Sequence, residues 1–162
     1  MKRFMSITAI LASTLLSNTV LAEGYWGVKA ATVDIDAGNY SNTLNIGLFV
    51  GAEFAQAGSN IVSLEGELTT SLIEVDTPIS GFDYSVRTMA IYAAMRTGKE
   101  TYLKIKAGIL DREITFNVPG SSSDSGLSWG VGFGFSDYEI EYTFFDGDGS
   151  ADLSMLSLGY LF

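Results

Sequence analysis

The sequence predicts an all-β chain: eight antiparallel strands closed into an up-and-down transmembrane β-barrel. Three observations predict it. Apolar residues recur with a period of two in eight successive runs, separated by turn residues. One parity of these runs carries bulky apolar side chains, and the other is rich in Gly and Ser. The last run, Leu153–Phe162, sets Leu156, Leu158, Tyr160 and Phe162 against Met155, Ser157, Gly159 and Leu161, because successive strand side chains point to opposite faces.

The amino terminus reads as a secretory signal peptide over residues 1–22. Lys2 and Arg3 precede the apolar run Phe4–Leu16, and Val20-Leu21-Ala22 offers a small-residue cleavage site before Glu23. The run is shorter than the ~20 apolar residues of a spanning helix. Cleavage after Ala22 leaves residues 23–162, enough for one barrel domain. The chain has no cysteine, so an exported fold must hold without disulfides. Loss of Lys2 and Arg3 leaves seven basic and nineteen acidic residues and takes the net charge from −10 to −12. That balance excludes nucleic acid as a partner, since such binding rests on Lys and Arg contacts to phosphate.

The runs then follow in order. Tyr25–Val33 puts Trp26, Val28, Ala30 and Thr32 opposite Gly27, Lys29 and Ala31. Thr43–Phe54 sets Leu44, Ile46, Leu48, Val50, Ala52 and Phe54 against Asn45, Gly47, Phe49, Gly51 and Glu53. Ile61–Ile73 sets Val62, Leu64, Leu68 and Leu72 against Ser63, Glu65, Glu67, Thr69 and Ser71. Tyr84–Arg96 is mixed: Val86, Ala90, Tyr92 and Ala94 oppose Arg87, but Met89, Ile91 and Met95 share the arginine's parity. Thr101–Phe116 has Leu103, Ile105, Ala107 and Ile109 against Lys104, Lys106 and Gly108. Leu127–Phe135 alternates Leu, Trp, Val and Phe with Ser128, Gly130, Gly132 and Gly134. The seventh run sets Ile140, Tyr142 and Phe144 against Glu139, Glu141 and Thr143. Connections over Asp34–Asn42, Asp76–Asp83 and Asn117–Gly126 are longer than those over Ala55–Asn60, Thr97–Glu100 and Ser136-Asp137, the asymmetry of outer-membrane barrels.

An eight-stranded lumen is only wide enough to be filled by side chains. The bulky parity, with Trp26 and Trp129, is too large for it, so that face is expected to meet lipid and the Gly/Ser parity to line the lumen. A sheet in hydrocarbon must also close, because unpaired backbone edges cannot be satisfied there. Trp26, Tyr160 and Phe162 are placed in a periplasmic aromatic girdle, and Trp129, Tyr84 and Phe144 in an outer one.

With its terminal strand ending on Tyr160 and Phe162, the chain resembles the small bacterial outer-membrane β-barrel family, of the OmpX and OmpA-barrel type. The resemblance implies that this strand is the signal read by the barrel-assembly machinery. It also implies residence in the outer membrane among phospholipid and lipopolysaccharide, as a monomer.

On the expected inner face lie Lys29, Arg87, Lys104 and Lys106, with Glu53, Glu65, Glu67, Glu139 and Glu141. Buried charges left alone are costly, so these groups are expected to pair as a salt-bridge network that plugs the lumen. The alternative is a narrow, porin-like passive channel. The chain has no histidine, hence no usual general base and no Ser–His pair; no enzyme is expected, and no cofactor. The loop bearing Asp146, Asp148 and Asp152 is a weak candidate metal site, since it lacks the glycine and the bidentate glutamate of a calcium loop. The role expected is structural or one of surface interaction.

Overall fold

A computed structural model describes residues 23–36, 41–76, 83–98, 100–117, 121–147 and 152–162. The expected signal peptide and Asp148 lie outside the described residues. The strands are β1 (Gly24–Ile35), β2 (Thr43–Ala57), β3 (Asn60–Ser71), β4 (Val75–Asp76), β5 (Asp83–Gly98), β6 (Thr101–Phe116), β7 (Ser121–Phe135), β8 (Tyr138–Gly147) and β9 (Leu153–Leu161). Sequential strands pair antiparallel, β3 with β5 across the two-residue β4, and β1 pairs with β9 from Gly27↔Leu161 to Ile35↔Leu153. The eight long strands thus form a closed up-and-down barrel, and β4 is a short ribbon on the outer half of β5.

Closure leaves the apolar parity outside. Trp26, Leu48, Leu64, Ile105, Trp129, Phe133, Ile140 and Leu158 are all about half exposed to the surroundings, whereas Lys104, Lys106, Glu65 and Glu141 are sealed inside. The belt stops at a polar rim. Just beyond it on the loop side, the outward positions are Asp34 on β1, Arg87 on β5, Asp111 on β6, Ser125 on β7, Asp146 on β8 and Ser154 on β9.

At the tight-turn end the expected aromatics lie together across β1, β9 and β8. Trp26 stacks on Phe162 at 4.2 Å between ring centroids, and Tyr160 lies edge-on between Phe162 and Tyr138. The Phe162 amide also donates to the Trp26 carbonyl, so the last residue sits on the β1–β9 seam. Each of the three tight turns has a residue of positive φ: Gly58 (φ 66°) between β2 and β3, Gly98 (φ 123°) at the end of β5, and Ser136 (φ 53°) between β7 and β8. At the loop end Trp129 packs against Phe144. Tyr84, expected beside them in the outer girdle, instead points into the barrel. Its ring is fully buried and its hydroxyl donates to the Ser41 carbonyl.

Two further readings change. The segment Asn117–Gly126, read as a loop, contains the first part of β7: Ser121–Gly126 pairs with Thr115–Leu110 of β6. The serines hide it from a period-two search, because a ribbon standing in water needs no apolar face. The interior is also not polar throughout. Its loop-side half holds an apolar cluster of Val33, Ile35, Tyr84, Val86, Tyr92, Leu110, Phe145, Leu153 and Met155, all buried, with Arg112 packed over Phe145 and paired with Asp124.

The inside–outside assignment has a direct test. Val131→Arg or Phe133→Arg on the outward face should cost about 2–4 kcal/mol in lipid, read from unfolding midpoints of the reconstituted protein. Gly132→Arg should fold far worse, since it would force a fifth cation and a long side chain between Lys104 and Glu141, where a Cβ alone would lie 3.3 Å from the Ile140 carbonyl oxygen. Parental stability for both outward variants would reverse the two faces.

Candidate functional site

The turn-side half of the lumen holds a cluster of charges. β1 contributes Lys29, β3 contributes Glu65 and Glu67, β5 contributes Arg96, β6 contributes Lys104 and Lys106, and β8 contributes Glu139 and Glu141. Strand parity aims each one inward.

Lys104 is the hub. Its Nζ lies 2.6 Å from Glu65, 3.0 Å from Glu139 and 3.0 Å from Glu141. Lys106 joins Glu67 at 2.6 Å and also binds Glu141. Lys29 bridges the same two carboxylates from the opposite wall, at 2.7 Å to Glu67 and 3.3 Å to Glu141. Arg96 pairs with Glu65 at 3.2 Å. Four cations therefore meet four carboxylates, and the cluster is neutral. Every side chain in it is less than a tenth exposed.

Aromatic and hydroxyl groups complete it. Tyr25 donates to Glu65, Tyr102 donates to Glu139 at 2.9 Å, and Thr143 donates to Glu141 at 3.1 Å. The Arg96 guanidinium lies 3.9 Å from the centroid of the Tyr25 ring, with Tyr102 on its other flank, and Lys106 sits 4.0 Å from that of Tyr92. Such cation–π contacts strengthen where water is excluded.

The glycines make this packing possible. On β7, Gly134, Gly132 and Gly130 stand between Tyr102, Lys104 and Lys106 of β6 and Glu139, Glu141 and Thr143 of β8. A Cβ on Gly134 would overlap the Tyr102 ring, and one on Gly51 would overlap Tyr25. With no side chain on β7, groups two strands apart meet across it. Above the cluster, Asn45 donates to Thr69 and to the Val86 carbonyl, and Thr69 meets Thr88. These neutral bonds separate the charges from the apolar storey.

The structure places Lys29, Lys104, Lys106, Glu65, Glu67, Glu139 and Glu141 together. It turns Arg87 outward, exposed at the rim. Glu53 is half-buried at the turn end, beside a bulge in β2 between Glu53 and Ala55, apart from the cluster. The missing cation is Arg96, and the missing hydroxyls are those of Tyr25 and Tyr102. Arg96 shares its parity with Ala90 and Ala94, whereas Arg87 shares its parity with Met89 and Met95. The rule that small residues face the lumen, applied to this strand, picks Arg96.

Of the acidic loop, Asp146 is exposed at the end of β8 and Asp152 precedes β9. Glu65, Glu67 and Glu141 each bring a carboxylate oxygen within 4.8 Å of the others, a spacing that could hold a cation. Lysine ammonium groups already fill that role.

No protein-family model and no curated relative matches the sequence. Solved structures do match in fold. Ail of Yersinia pestis, in complex with the heparin analogue sucrose octasulfate, aligns at a TM-score of 0.57 and 16% identity, over 87% of this chain and 97% of that one. The N-terminal β-barrel domain of Pseudomonas aeruginosa OprF aligns at 0.55 and 14%, over 88% and 100%. The outer membrane enzyme PagL aligns at 0.55 and 16%, over 83% and 97%.

The cluster's energetics give a graded test. Removing one partner of a buried ion pair costs about 3–5 kcal/mol. Glu141→Gln strips a charge from three lysines, whereas Glu139→Gln strips it from Lys104 alone. Glu141→Gln should therefore lower the denaturant midpoint more than Glu139→Gln, and both should fall below the parent. Unchanged midpoints would mean that the cluster contributes no stability. The architecture on which this cluster is built is that of the small eight-stranded outer-membrane β-barrels.

Proposed function

We propose that the protein is an integral outer-membrane barrel whose lumen is plugged, and that its role is structural or lies at the surface it presents outside. The observation that carries this reading is the two-storey filling of the interior. A neutral ion cluster on the turn side is capped on the loop side by a packed, largely apolar core that also holds the buried Arg112, paired with Asp124. Buried charges in mutual contact hold one another in place, and an apolar constriction sheds water. Neither storey offers a path for ions.

The orientation follows from the two ends. The start of β1, the end of β9 and the tight turns share one end, which faces the periplasm, and the longer connections face out. There β5, β6 and β7 stand above the rim as a twisted ribbon, with β6 and β7 paired up to Thr115↔Ser121. Catalysis has no support within the cluster: its acids are ion-paired and the chain has no histidine. PagL shows that the architecture can carry an enzyme, but fold does not fix function.

Planar-bilayer recordings decide between plug and channel. The refolded protein should give no steady conductance steps. Reproducible openings that change with Lys104→Met would replace the plug by a narrow channel.

The terminal strand carries a second expectation. Phe162 closes the seam against Trp26, and its removal takes away apolar contact worth about 1.5–3 kcal/mol at most. Deleting Phe162 should leave refolding into lipid in vitro largely intact, yet sharply reduce the protein recovered from purified outer membranes. Recovery at parental levels would remove any role for Phe162 in assembly.

A further inference from the structure

The outward face is not uniform. A groove of about 830 Å³ runs between two rows of outward side chains. One row includes Ile46, Ala30 and Leu158, and the other Leu48, Val28 and Tyr160; within each row the residues are cross-strand neighbours. The small Ala30 lies midway. The groove crosses from β5 to β8, five strand spacings, so it is roughly 24 Å long at ~4.8 Å per spacing. Barrel strands tilt, so a path across them also travels along the membrane normal. It starts on β5 at Arg87, on the loop-side rim, and ends at Tyr160 and Tyr138 near the turn end. That length exceeds the ~15 Å depth of one leaflet, half of a ~30 Å hydrocarbon core.

Arg87 gives this groove a polar end. It is the one Lys or Arg on the outward face among the described residues, on a rim otherwise acidic or neutral. Thr70 flanks it on the groove side and Glu113 stands opposite it on β6. A headgroup reaching Arg87 would therefore lie over β3, away from the carboxylate.

We infer that this groove is a binding site for one acyl chain of a phosphorylated outer-leaflet glycolipid of the lipid A class, with its phosphate on Arg87. A guanidinium binds phosphate bidentately, and beside a hydrocarbon layer that contact is poorly screened. The inference rests on the proposed orientation, in which the Arg87 end faces the outer leaflet. Arg87 lies outside the ion cluster and the apolar core, so changing it leaves the fold intact.

The test is native mass spectrometry of the protein released from nanodiscs. The nanodiscs contain phosphatidylcholine with a minor fraction of lipid A, dephosphorylated lipid A or phosphatidylglycerol. Recovery of folded barrel in the nanodiscs is scored first, because its failure would strike the membrane reading itself. The parent should retain one lipid A under conditions that strip annular lipid. Arg87→Gln and the groove-filling Ala30→Phe should each lower that retention about tenfold, and dephosphorylated lipid A should be lost from the parent as readily. Equal retention by the parent and both variants would overturn the site. Equal retention of phosphatidylglycerol and lipid A by the parent would overturn the assignment to a glycolipid.

Discussion

The structure depends on charges that have nowhere to go but to each other. Hydrocarbon surrounds the barrel wall, and the lumen is too narrow to hydrate eight charged groups. Lys29, Arg96, Lys104 and Lys106 must therefore find Glu65, Glu67, Glu139 and Glu141 within the cross-section of one barrel. A cluster of this kind contributes little net stability relative to apolar packing. Its physical value is that removing one member is expensive and that only one strand register satisfies all members together. Shifting one strand by one residue would send its charges into lipid. The cluster thus fixes register from the inside while lipid fixes it from the outside.

Glycine is the counterpart of that constraint. The four cations of the cluster, with Tyr25, Tyr92 and Tyr102 packed against them, cannot share the lumen with a full complement of side chains on every strand. β7 gives up its side chains at Gly130, Gly132 and Gly134, and β2 gives one up at Gly51. The cost in strand propensity is real. It is offset because Lys104 and Glu141 make contact across a strand neither belongs to.

Much of this was legible in the sequence wherever a run alternated cleanly. The runs holding Lys29, Glu65, Glu67, Lys104, Lys106, Glu139 and Glu141 each had one bulky and one small or charged parity, which set the direction of those side chains. The run from Tyr84 to Arg96 had apolar residues on both parities, so hydrophobicity could not orient it, and Arg87 was placed inside where Arg96 belongs. Side-chain size held the missing information, since Ala90 and Ala94 fit a lumen and Met89 and Met95 do not. No local pattern could have revealed that Tyr25 and Tyr102 flank Arg96, because those contacts join β1, β5 and β6 through the closed barrel.

The loop-side half was misread for a deeper reason. At the rim, the solvent outside the wall changes from lipid to water, and the phase of the alternation inverts with it. On β1 the apolar parity passes from Trp26 and Val28 to Val33 and Ile35. On β6 it passes from Leu103–Ile109 to Leu110 and Ile114, and on β9 it lies at Leu153 and Met155 before the rim and at Leu156–Phe162 after it. Taking the apolar residues as the outward ones along a whole strand therefore assigns the wrong face to those above the membrane, as it did for Tyr84. The inversion also marks where the barrel ceases to be a membrane structure. Above it the same strands pack as a water-soluble sheet does, polar outside and apolar inside, and so the ribbon of β5, β6 and β7 can stand clear of the bilayer without exposing an apolar face.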